Sequence, residues 1–261
     1  MERKTVDIGD TTLSILESGS GAPLVFVHGI VTTSELFRDV IECYAPRYRA
    51  IAVDLRGYGD SAKPGHGYNI NQFAKDLARL FDVMELPRAV LLGVSMGGWI
   101  VQRFALDNGD WLNGVVLSST SSGEAAKGVL KKDPPETLKN QSWREVSEQL
   151  ISGAFPPNTD PAIVNALLSR IDTWNEQVFA EALASIIPFD TSSELPNLKP
   201  PTLIMVGSED NQLPVSLSEK MHAAIPDSRL EVFQGSGHFM MVEDPDGFYS
   251  VLDDFLEQIG H

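Results

Sequence analysis

The chain has 261 residues, of which 43% are hydrophobic and 21% charged, values that exclude a largely disordered protein. Its length suits one α/β domain with an appended subdomain better than two independent domains. With 20 Lys and Arg residues against 36 Asp and Glu residues, the formal net charge is −16. This charge argues against nucleic acid as a partner, because binding to phosphates needs a basic surface, and it fits a small neutral substrate better.

The sequence also predicts where the protein works. It contains one cysteine, so no intramolecular disulfide can form and nothing indicates an oxidising compartment. The first residues lack the apolar segment of a secretory signal, and no apolar run is long enough to cross a bilayer. We therefore expect a cytoplasmic protein with no membrane partner, while the oligomeric state is left open. Cys43 lies in an apolar pattern with Val40 and Tyr44, which predicts a packed, unreactive thiol.

Short apolar segments alternate with amphipathic helices along most of the chain. Val6 to Ile8 and Thr12 to Leu16 flank a Gly-Asp turn and predict a hairpin. The run from Ile70 to Met84 repeats apolar residues at helical spacing. The alternation predicts an α/β fold with a doubly wound, mostly parallel sheet. Five further segments are apolar on both faces, as strands of a covered parallel sheet are: 24–27, 50–53, 89–92, 115–117 and 203–206.

This alternation stops between about residues 121 and 190, where no strand pattern occurs. Residues 143–150 and 163–187 have helical patterns instead. A helical insertion at one point of a parallel sheet is most simply a cap over the strand ends. The predicted domains are therefore an α/β core of residues 1–120 and 191–261 and a helical cap, or lid, of residues 121–190.

The pentapeptide Gly-Val-Ser-Met-Gly at residues 93–97 fits the Gly-x-Ser-x-Gly pattern of a nucleophile elbow. It follows the apolar segment 89–92 and precedes a helix-patterned run, as such a turn requires. A sharp turn from strand to helix strains the serine backbone, and the two glycines remove Cβ atoms that would clash. The hydroxyl then stands at a helix N-terminus, where backbone N–H groups can stabilise an oxyanion. Ser95 is the predicted nucleophile.

A serine hydroxyl needs a base to accept its proton, and histidine suits that task near neutral pH. His238 lies late in the chain, in a loop after a strand-like segment, as the third member of the order Ser, Asp, His would. The other four histidines have simpler interpretations: His28 as a packing residue, His66 and His222 as surface residues, and His261 as a frayed end.

The catalytic acid must orient the imidazole and stabilise its charged form. Asp210 follows the segment 203–206, at the carboxyl edge of the sheet where active sites of open α/β folds lie. Its neighbour Glu209 is the rival carboxylate. Asp54 also follows a strand, but it precedes the serine and is interpreted as an anchor of its own loop.

Across essentially its whole length the sequence resembles the α/β-hydrolase superfamily, and its serine esterases and lactonases in particular. The resemblance implies an eight-stranded, mostly parallel sheet with helices on both faces and a helical cap inserted before the last two strands. It favours Asp210 over Glu209, and it implies an oxyanion hole made by the backbone N–H groups of Ile30 and Met96. The motifs that carry it occur in the family order: His-Gly at 28–29, Asp-Leu-Arg-Gly-Tyr-Gly-Asp-Ser at 54–61, Gly-Val-Ser-Met-Gly-Gly at 93–98, Gly-Ser-Glu-Asp at 207–210 with Pro214, and Gly-Ser-Gly-His at 235–238 with Glu243 and Pro245.

The departures from particular branches of the superfamily narrow the expected activity. A serine nucleophile argues against dehalogenases and epoxide hydrolases, which use aspartate there. The loop 28–32 lacks the Gly-Pro-Gly of proline iminopeptidases and the glycine-rich oxyanion loop typical of C–C bond hydrolases. It also lacks the His-Gly-Gly-Gly pattern of hormone-sensitive-lipase relatives.

The sequence therefore predicts a hydrolase of a small neutral carboxylic ester or lactone, acting through an acyl-enzyme on Ser95. We expect no metal and no organic cofactor, because no metal-ligand spacing is found and the triad chemistry needs neither. Thioesterase, C–C bond hydrolase and cofactor-free perhydrolase or haloperoxidase activities are alternatives with the same triad. A ligand receptor that retains the fold is the non-enzymatic alternative.

Apolar residues beside the triad in sequence predict a pocket for an uncharged acyl group. Val31 follows the oxyanion turn, Leu213 the acid and Phe239 the base, while Trp143 begins the first helical pattern of the cap. These four are the candidate substrate-pocket residues. Arg56, or an arginine of the cap, remains available to fold over the site and bind a substrate carboxylate.

Overall fold

A computed structural model describes residues 1–123 and 140–261, and the described strands form one eight-stranded sheet. The strands are β1 (Glu2–Asp7), β2 (Thr12–Ser18), β3 (Pro23–Val27), β4 (Arg49–Val53), β5 (Ala89–Val94), β6 (Leu112–Ser118), β7 (Thr202–Gly207) and β8 (Ser228–Phe233). Their order in the sheet is β1-β2-β4-β3-β5-β6-β7-β8. The predicted hairpin is present as β1 and β2, and β2 also pairs antiparallel with β4. The remaining neighbours, β4, β3, β5, β6, β7 and β8, all pair in parallel.

The described α-helices fill the connections between these strands. They are α1 (Arg38–Tyr44), α2 (Ile70–Val83), α3 (Met96–Asn108), α4 (Trp143–Ser152), α5 (Pro161–Leu168), α6 (Glu176–Ile186), α7 (Val215–Ala224), α8 (Met240–Glu243) and α9 (Pro245–Gln258). None of them is long and apolar enough to cross a membrane.

The sheet is covered on both faces, which explains its apolar central strands. Every residue of β3, β5 and β7 is buried. Right-handed crossovers place α1 on the face opposite α2, α3 and α7, because the chain moves in one direction from β3 to β4 and in the other from β4 onward. Tyr44 of α1 donates to the backbone oxygen of Tyr249 in α9, so α9 covers the same face as α1. The doubly wound α/β prediction is confirmed.

Between β6 and β7 the described residues 140–190 form helices and no strand. The predicted single helical run 163–187 is wrong in detail, since α5 and α6 are separated by a 3-10 turn at Ile171–Thr173. The break has a local cause, because the side chain of Asn175 accepts the N–H of Val178 and caps α6. Residues 124–139 of the predicted cap lie outside the described residues, and the domain boundaries stay a prediction.

Two interpretations of residues outside the predicted site are wrong. Cys43 is exposed, because α1 turns Val40 and Tyr44 inward and leaves the thiol on its outer face. His261 is held in place: its ring stacks on Tyr48 with centroids 5.7 Å apart, and Nε2 donates to the backbone oxygen of Pro23 at 3.1 Å.

Candidate active site

The three predicted triad residues lie at the carboxyl edge of neighbouring strands. Ser95 directly follows β5, Asp210 lies beyond the end of β7, and His238 lies beyond the end of β8. Because these strands are parallel and adjacent through β6, their ends meet at one edge of the sheet. The N–H of Ser95 continues the pairing with β6 by donating to the backbone oxygen of Ser118 at 3.0 Å.

Ser95 sits in a strained turn between β5 and α3. Its φ of 55° and ψ of −120° lie in a region that L residues rarely adopt. The flanking glycines permit the turn, since a Cβ at Gly93 would lie 2.2 Å from the backbone oxygen of Gly97, and one at Gly97 would lie 2.2 Å from that of Val27. Ser95 itself is only half-buried. The backbone therefore has the shape that the nucleophile-elbow motif predicts.

His238 and Asp210 are in direct contact. Nδ1 of His238 lies 2.8 Å from Oδ2 of Asp210, and both residues are buried. The second carboxylate oxygen, Oδ1, accepts the N–H groups of Gln212 at 3.0 Å and Leu213 at 2.9 Å. With Nδ1–H donated to the carboxylate, Nε2 is left as the proton-accepting nitrogen of the ring.

The environment of Asp210 favours its charged form. Burial raises the pKa of this carboxyl, but the charge and hydrogen bond of His238 together with the N–H of Leu213 outweigh burial and lower the pKa below its usual value. Glu209 differs, because its side chain is exposed. The carboxylate that contacts the imidazole is therefore Asp210, the one that the family resemblance favours.

The loop after β3 is held by hydrogen bonds of its own side chains. His28 donates from Nδ1 to the backbone oxygen of Gly29 at 2.7 Å, and its Nε2 accepts the N–H of Leu55 at 3.1 Å. Burial lowers the pKa of His28, which keeps the ring neutral, as this pair of partners requires. The N–H of Gly29 donates to Thr32 Oγ1 at 3.0 Å. His28 is thus a structural residue of the loop.

This loop packs against the serine. A Cβ at Gly29 would lie 3.2 Å from the Cβ of Ser95 and 3.7 Å from its Oγ. The two expected oxyanion donors are both buried, Ile30 directly after Gly29 and Met96 at the first position of α3. The first amides of a helix have no intrahelical acceptor, so the N–H of Met96 is available in principle. That the two N–H groups converge on a substrate oxygen stays a prediction.

Three of the four candidate pocket residues lie in the loops that carry Asp210 and His238 or in the loop after β3 that packs against Ser95. The ring of Phe239 meets the ring of His238 edge-on with centroids 5.0 Å apart, and Leu213 is buried next to Asp210. Val31 is buried in the loop after β3. Trp143 lies in α4, half-buried, with the guanidinium of Arg144 over its ring.

Arg56 is not available to a substrate. Its side chain is fully buried, and its guanidinium is paired with Asp76 and, at 3.2 Å, with Asp10. Asp54, interpreted as a loop anchor, accepts the N–H of Ser34 at 2.8 Å and that of Asp60 at 3.1 Å. Both residues therefore stabilise the loop after β4.

Sequence reasoning missed how the segment between β6 and β7 is bonded to the triad loops. The backbone oxygen of Ala154 accepts the N–H of His238 at 2.8 Å, and that of Leu150 accepts Gln212 Nε2 at 2.6 Å. The ring of Phe155 packs on Phe239 with centroids 5.3 Å apart. Backbone acceptors carry no residue-type signal, so the sequence gives no sign of the bonds to Ala154 and Leu150.

Within the part of the chain that the structure describes, no three His, Cys, Asp or Glu side chains are grouped as a metal site would need.

Comparison with known proteins agrees with this architecture. A family model described as the alpha/beta hydrolase fold matches residues 22–245. Since the match covers most of the chain, the protein belongs to the α/β-hydrolase fold family.

Two solved structures and one relative are similar over nearly the full length. One is Est816, described as an N-acyl homoserine lactone degrading enzyme, with a TM-score of 0.88 and 25% identity, covering 97% of this chain and 100% of that one. A thermophilic esterase from Thermogutta terrifontis has a TM-score of 0.87 and 25% identity, covering 99% of both chains. A putative non-heme chloroperoxidase from Synechocystis is 29% identical, covering 92% of each chain. The protein is therefore a hydrolase of this family whose relatives include esterases and lactone-degrading enzymes.

Proposed function

We propose that the protein is a serine hydrolase that cleaves small neutral carboxylic esters or lactones through an acyl-enzyme on Ser95. The observation that carries the proposal is the hydrogen bond between His238 and Asp210, at the same edge of the sheet as the strained Ser95. A strained serine, a buried histidine and an ionised carboxylate at one sheet edge are the parts of an acyl-transfer site.

The chemistry follows from the roles these groups would take. Ser95 Oγ attacks the acyl carbonyl while Nε2 of His238 accepts its proton, and the carboxylate of Asp210 stabilises the resulting imidazolium. The N–H groups of Met96 and Ile30 would hold the oxyanion of the tetrahedral intermediate. His238 then protonates the leaving oxygen, and a water molecule repeats the sequence on the acyl-enzyme and releases the acid.

The preference for a neutral substrate rests on charge and on the surroundings of the triad. The chain carries a net charge of −16, and Arg56, a cation of the neighbouring loop, is occupied by Asp76. Phe239 and Leu213 are apolar and buried beside the base and the acid. Esters and lactones both fit, because they present the same acyl carbonyl, and each occurs in the description of a similar structure.

The segment of residues 121–190 is proposed to act as the cap of this site. Its described part supports this role because Ala154 and Leu150 bond to the loops that carry the base and the acid.

The test is covalent labelling followed by turnover. A fluorophosphonate probe should add one mass increment to the peptide that contains Ser95, and Ser95→Ala should abolish the label. A panel of p-nitrophenyl esters, lactones and acyl thioesters should then give many turnovers per site on oxygen esters or lactones. Persistent labelling of Ser95→Ala would refute the assignment of the nucleophile, and a single turnover would indicate a receptor that cleaves its ligand once.

Perhydrolysis is the second candidate, favoured by the similarity to a putative non-heme chloroperoxidase at 29% identity. Hydrogen peroxide would replace water as the nucleophile that attacks the acyl-enzyme, so the ester bond to Ser95 breaks and a peracid leaves with the acyl group. Running the ester panel with and without peroxide and measuring peracid separates the two activities.

A further inference from the structure

Three successive backbone amides around His238 are each held by a partner outside the loop. The N–H of Gly237 donates to Oε2 of Glu243 at 2.7 Å, and the N–H of Phe239 donates to Oε1 of the same carboxylate at 2.8 Å. Between them, the N–H of His238 donates to the backbone oxygen of Ala154 at 2.8 Å. One carboxylate therefore bonds to the amides on both sides of the histidine.

Local structure explains why Glu243 reaches both amides. Phe239 is the N-cap of α8, and Glu243 is the last residue of that four-residue helix. Its side chain folds back over the residues that precede the helix, as the acidic residue of a capping box does. A Cβ at Gly237 would lie 2.6 Å from the oxygen of Ala154 and 3.2 Å from Oε2 of Glu243. Both partners of the loop therefore lie close to the backbone at residue 237.

The carboxylate of Glu243 is close to the catalytic charges. Burial is the largest influence and raises the pKa of Glu243, and the charge of Asp210 adds to it, whereas the two N–H groups and His238 act in the opposite direction. Glu243 also lines a polar cavity of about 370 Å³, to which Asp160 and Asp244 contribute. Those two carboxylates cap helices, Asp160 at α5 and Asp244 at α9.

We propose that Glu243 is a positioning residue whose ionised carboxylate holds residues 237–239 so that the imidazole of His238 reaches Asp210 and Ser95 at the same time. It acts through His238 and does not touch the substrate. The backbone bonds on both sides of residue 238 fix the direction of its Cα–Cβ bond, which leaves the ring only its own two torsions to adjust. The proposal rests on the proposed function, in which His238 is the base.

The test compares Glu243→Gln with Asp244→Asn as a matched control. Glutamine keeps the size of the side chain but turns an NH₂ group toward one of the two amides, so one hydrogen bond is lost. Asp244 is the next residue, and its carboxylate accepts the N–H of Gly247 at 3.1 Å rather than an amide of the histidine loop. With a p-nitrophenyl ester, kcat should fall on the order of 10²-fold in Glu243→Gln, because a displacement of about 1 Å costs that much, while KM changes little. Asp244→Asn keeps an oxygen that can accept the N–H of Gly247, so it should keep its kcat and change little in thermal stability.

Two further readouts distinguish positioning from a general structural role. The downfield ¹H NMR signal of the proton between His238 Nδ1 and Asp210 should shift or broaden in Glu243→Gln, without any substrate, and stay unchanged in Asp244→Asn. The acidic limb of the kcat/KM profile should move to lower pH in Glu243→Gln, since an anion that stabilises the imidazolium has been removed. The other charged or titratable groups near Glu243, namely Asp210, His238, Asp160 and Asp244, are the same in the wild-type protein and in Glu243→Gln.

Equal losses of kcat in the two variants, or an unchanged kcat and NMR signal in Glu243→Gln, would overturn the proposal. If Glu243→Gln does not fold, Glu243→Asp takes its place: its side chain is too short to reach both amides, so an unchanged kcat there also overturns it. The proposed function fails separately, when a fluorophosphonate does not label Ser95 of the wild-type protein. A labelled wild-type protein with an equally fast Glu243→Gln refutes only the positioning role.

Discussion

Two histidines follow strands of the same sheet, and their hydrogen-bond partners give them opposite properties. His28, after β3, and His238, after β8, are both buried and both stand next to a glycine. The ring of His28 bonds at both nitrogens to backbone groups, and burial lowers its pKa, which keeps the ring neutral. The ring of His238 bonds at Nδ1 to the carboxylate of Asp210, which stabilises a positive charge on the ring. Both rings are buried and both follow a strand, so what distinguishes His238 is its carboxylate partner, and this partner is the reason that we assign the base to His238.

When the two histidines are replaced in turn, the largest effect is expected on kcat. His238→Gln should lower kcat by about 10⁴-fold or more, because the serine loses its proton acceptor. His28→Gln should retain most of the activity if it folds. Steady-state kinetics on one p-nitrophenyl ester measures both, and similar losses in the two variants would contradict the assignment of the base.

The next largest effect on kcat is expected from Asp210, the carboxylate that bonds to His238. Asp210→Asn should reduce kcat on the order of 10⁴-fold, since the amide cannot stabilise the imidazolium and favours the wrong tautomer. The matched control is Glu209→Gln, which should change kcat little because the Glu209 side chain is exposed. A larger loss at Glu209 than at Asp210 would show that the wrong acid was chosen.

A smaller effect is expected on stability, and it concerns His28. His28→Gln should lower the free energy of unfolding by about 1–3 kcal/mol, because a buried hydrogen-bond partner of Leu55 or Gly29 is lost. Denaturant unfolding at neutral pH measures this. The exposed His66→Gln, as control, should be neutral, and an equal loss in both variants would contradict the structural role of His28.

The same histidine should also make stability depend on pH. Burial lowers the pKa of His28 in the folded protein, so below about pH 6.5 the unfolded chain binds a proton that the folded protein does not. Its contribution is present above that pH and is lost on acidification, by up to about 1.4 kcal/mol per pH unit. His28→Gln should flatten this part of the stability profile, whereas His66→Gln should leave it unchanged.

The smallest expected effect concerns the apolar side of the site around His238. Each methylene of the acyl group that becomes buried should contribute up to about 0.8 kcal/mol, or about fourfold in kcat/KM. Rates on p-nitrophenyl esters should rise from acetyl to about butyryl or hexanoyl and then fall. An optimum on half-esters of dicarboxylates, or no dependence on chain length, would indicate a polar pocket instead.

The parts of the molecule that were predictable from sequence are those that short-range rules determine. Ser95 was recognisable because its flanking glycines and adjoining strand and helix patterns are local features. Strand segments apolar on both faces predicted the covered parallel sheet, since no other surroundings suit them. Its position beyond a strand favoured Asp210, and the family resemblance strengthened that choice over Glu209. Sequence alone does not show which of two adjacent carboxylates the backbone turns toward the imidazole.

What could not be predicted depends on contacts between distant segments. Cys43 belongs to an apolar pattern, but rotating α1 about its axis by a fraction of a turn is enough to place the thiol on the exposed face of the helix. His261 is held by Pro23 and Tyr48, which are both distant from it in the sequence. Arg56 looked available because Asp76, its buried partner, is on α2 and not in the same motif. The bond from Ala154 to His238 involves backbone alone, so no residue type signals it.

The order of the strands has a consequence for the protein during its synthesis. Ser95 is made with β5, but its proposed partners arrive only with β7 and β8, after the helices of residues 143–186 have been added. A ribosome-bound chain that ends before β7 carries the elbow sequence without a base or an acid. Because long-range pairing of strands forms slowly, the last stretch of sequence to emerge also completes the site. If Ser95, Asp210 and His238 act as proposed, we expect no ester hydrolysis by the unfinished chain until β7 and β8 have docked.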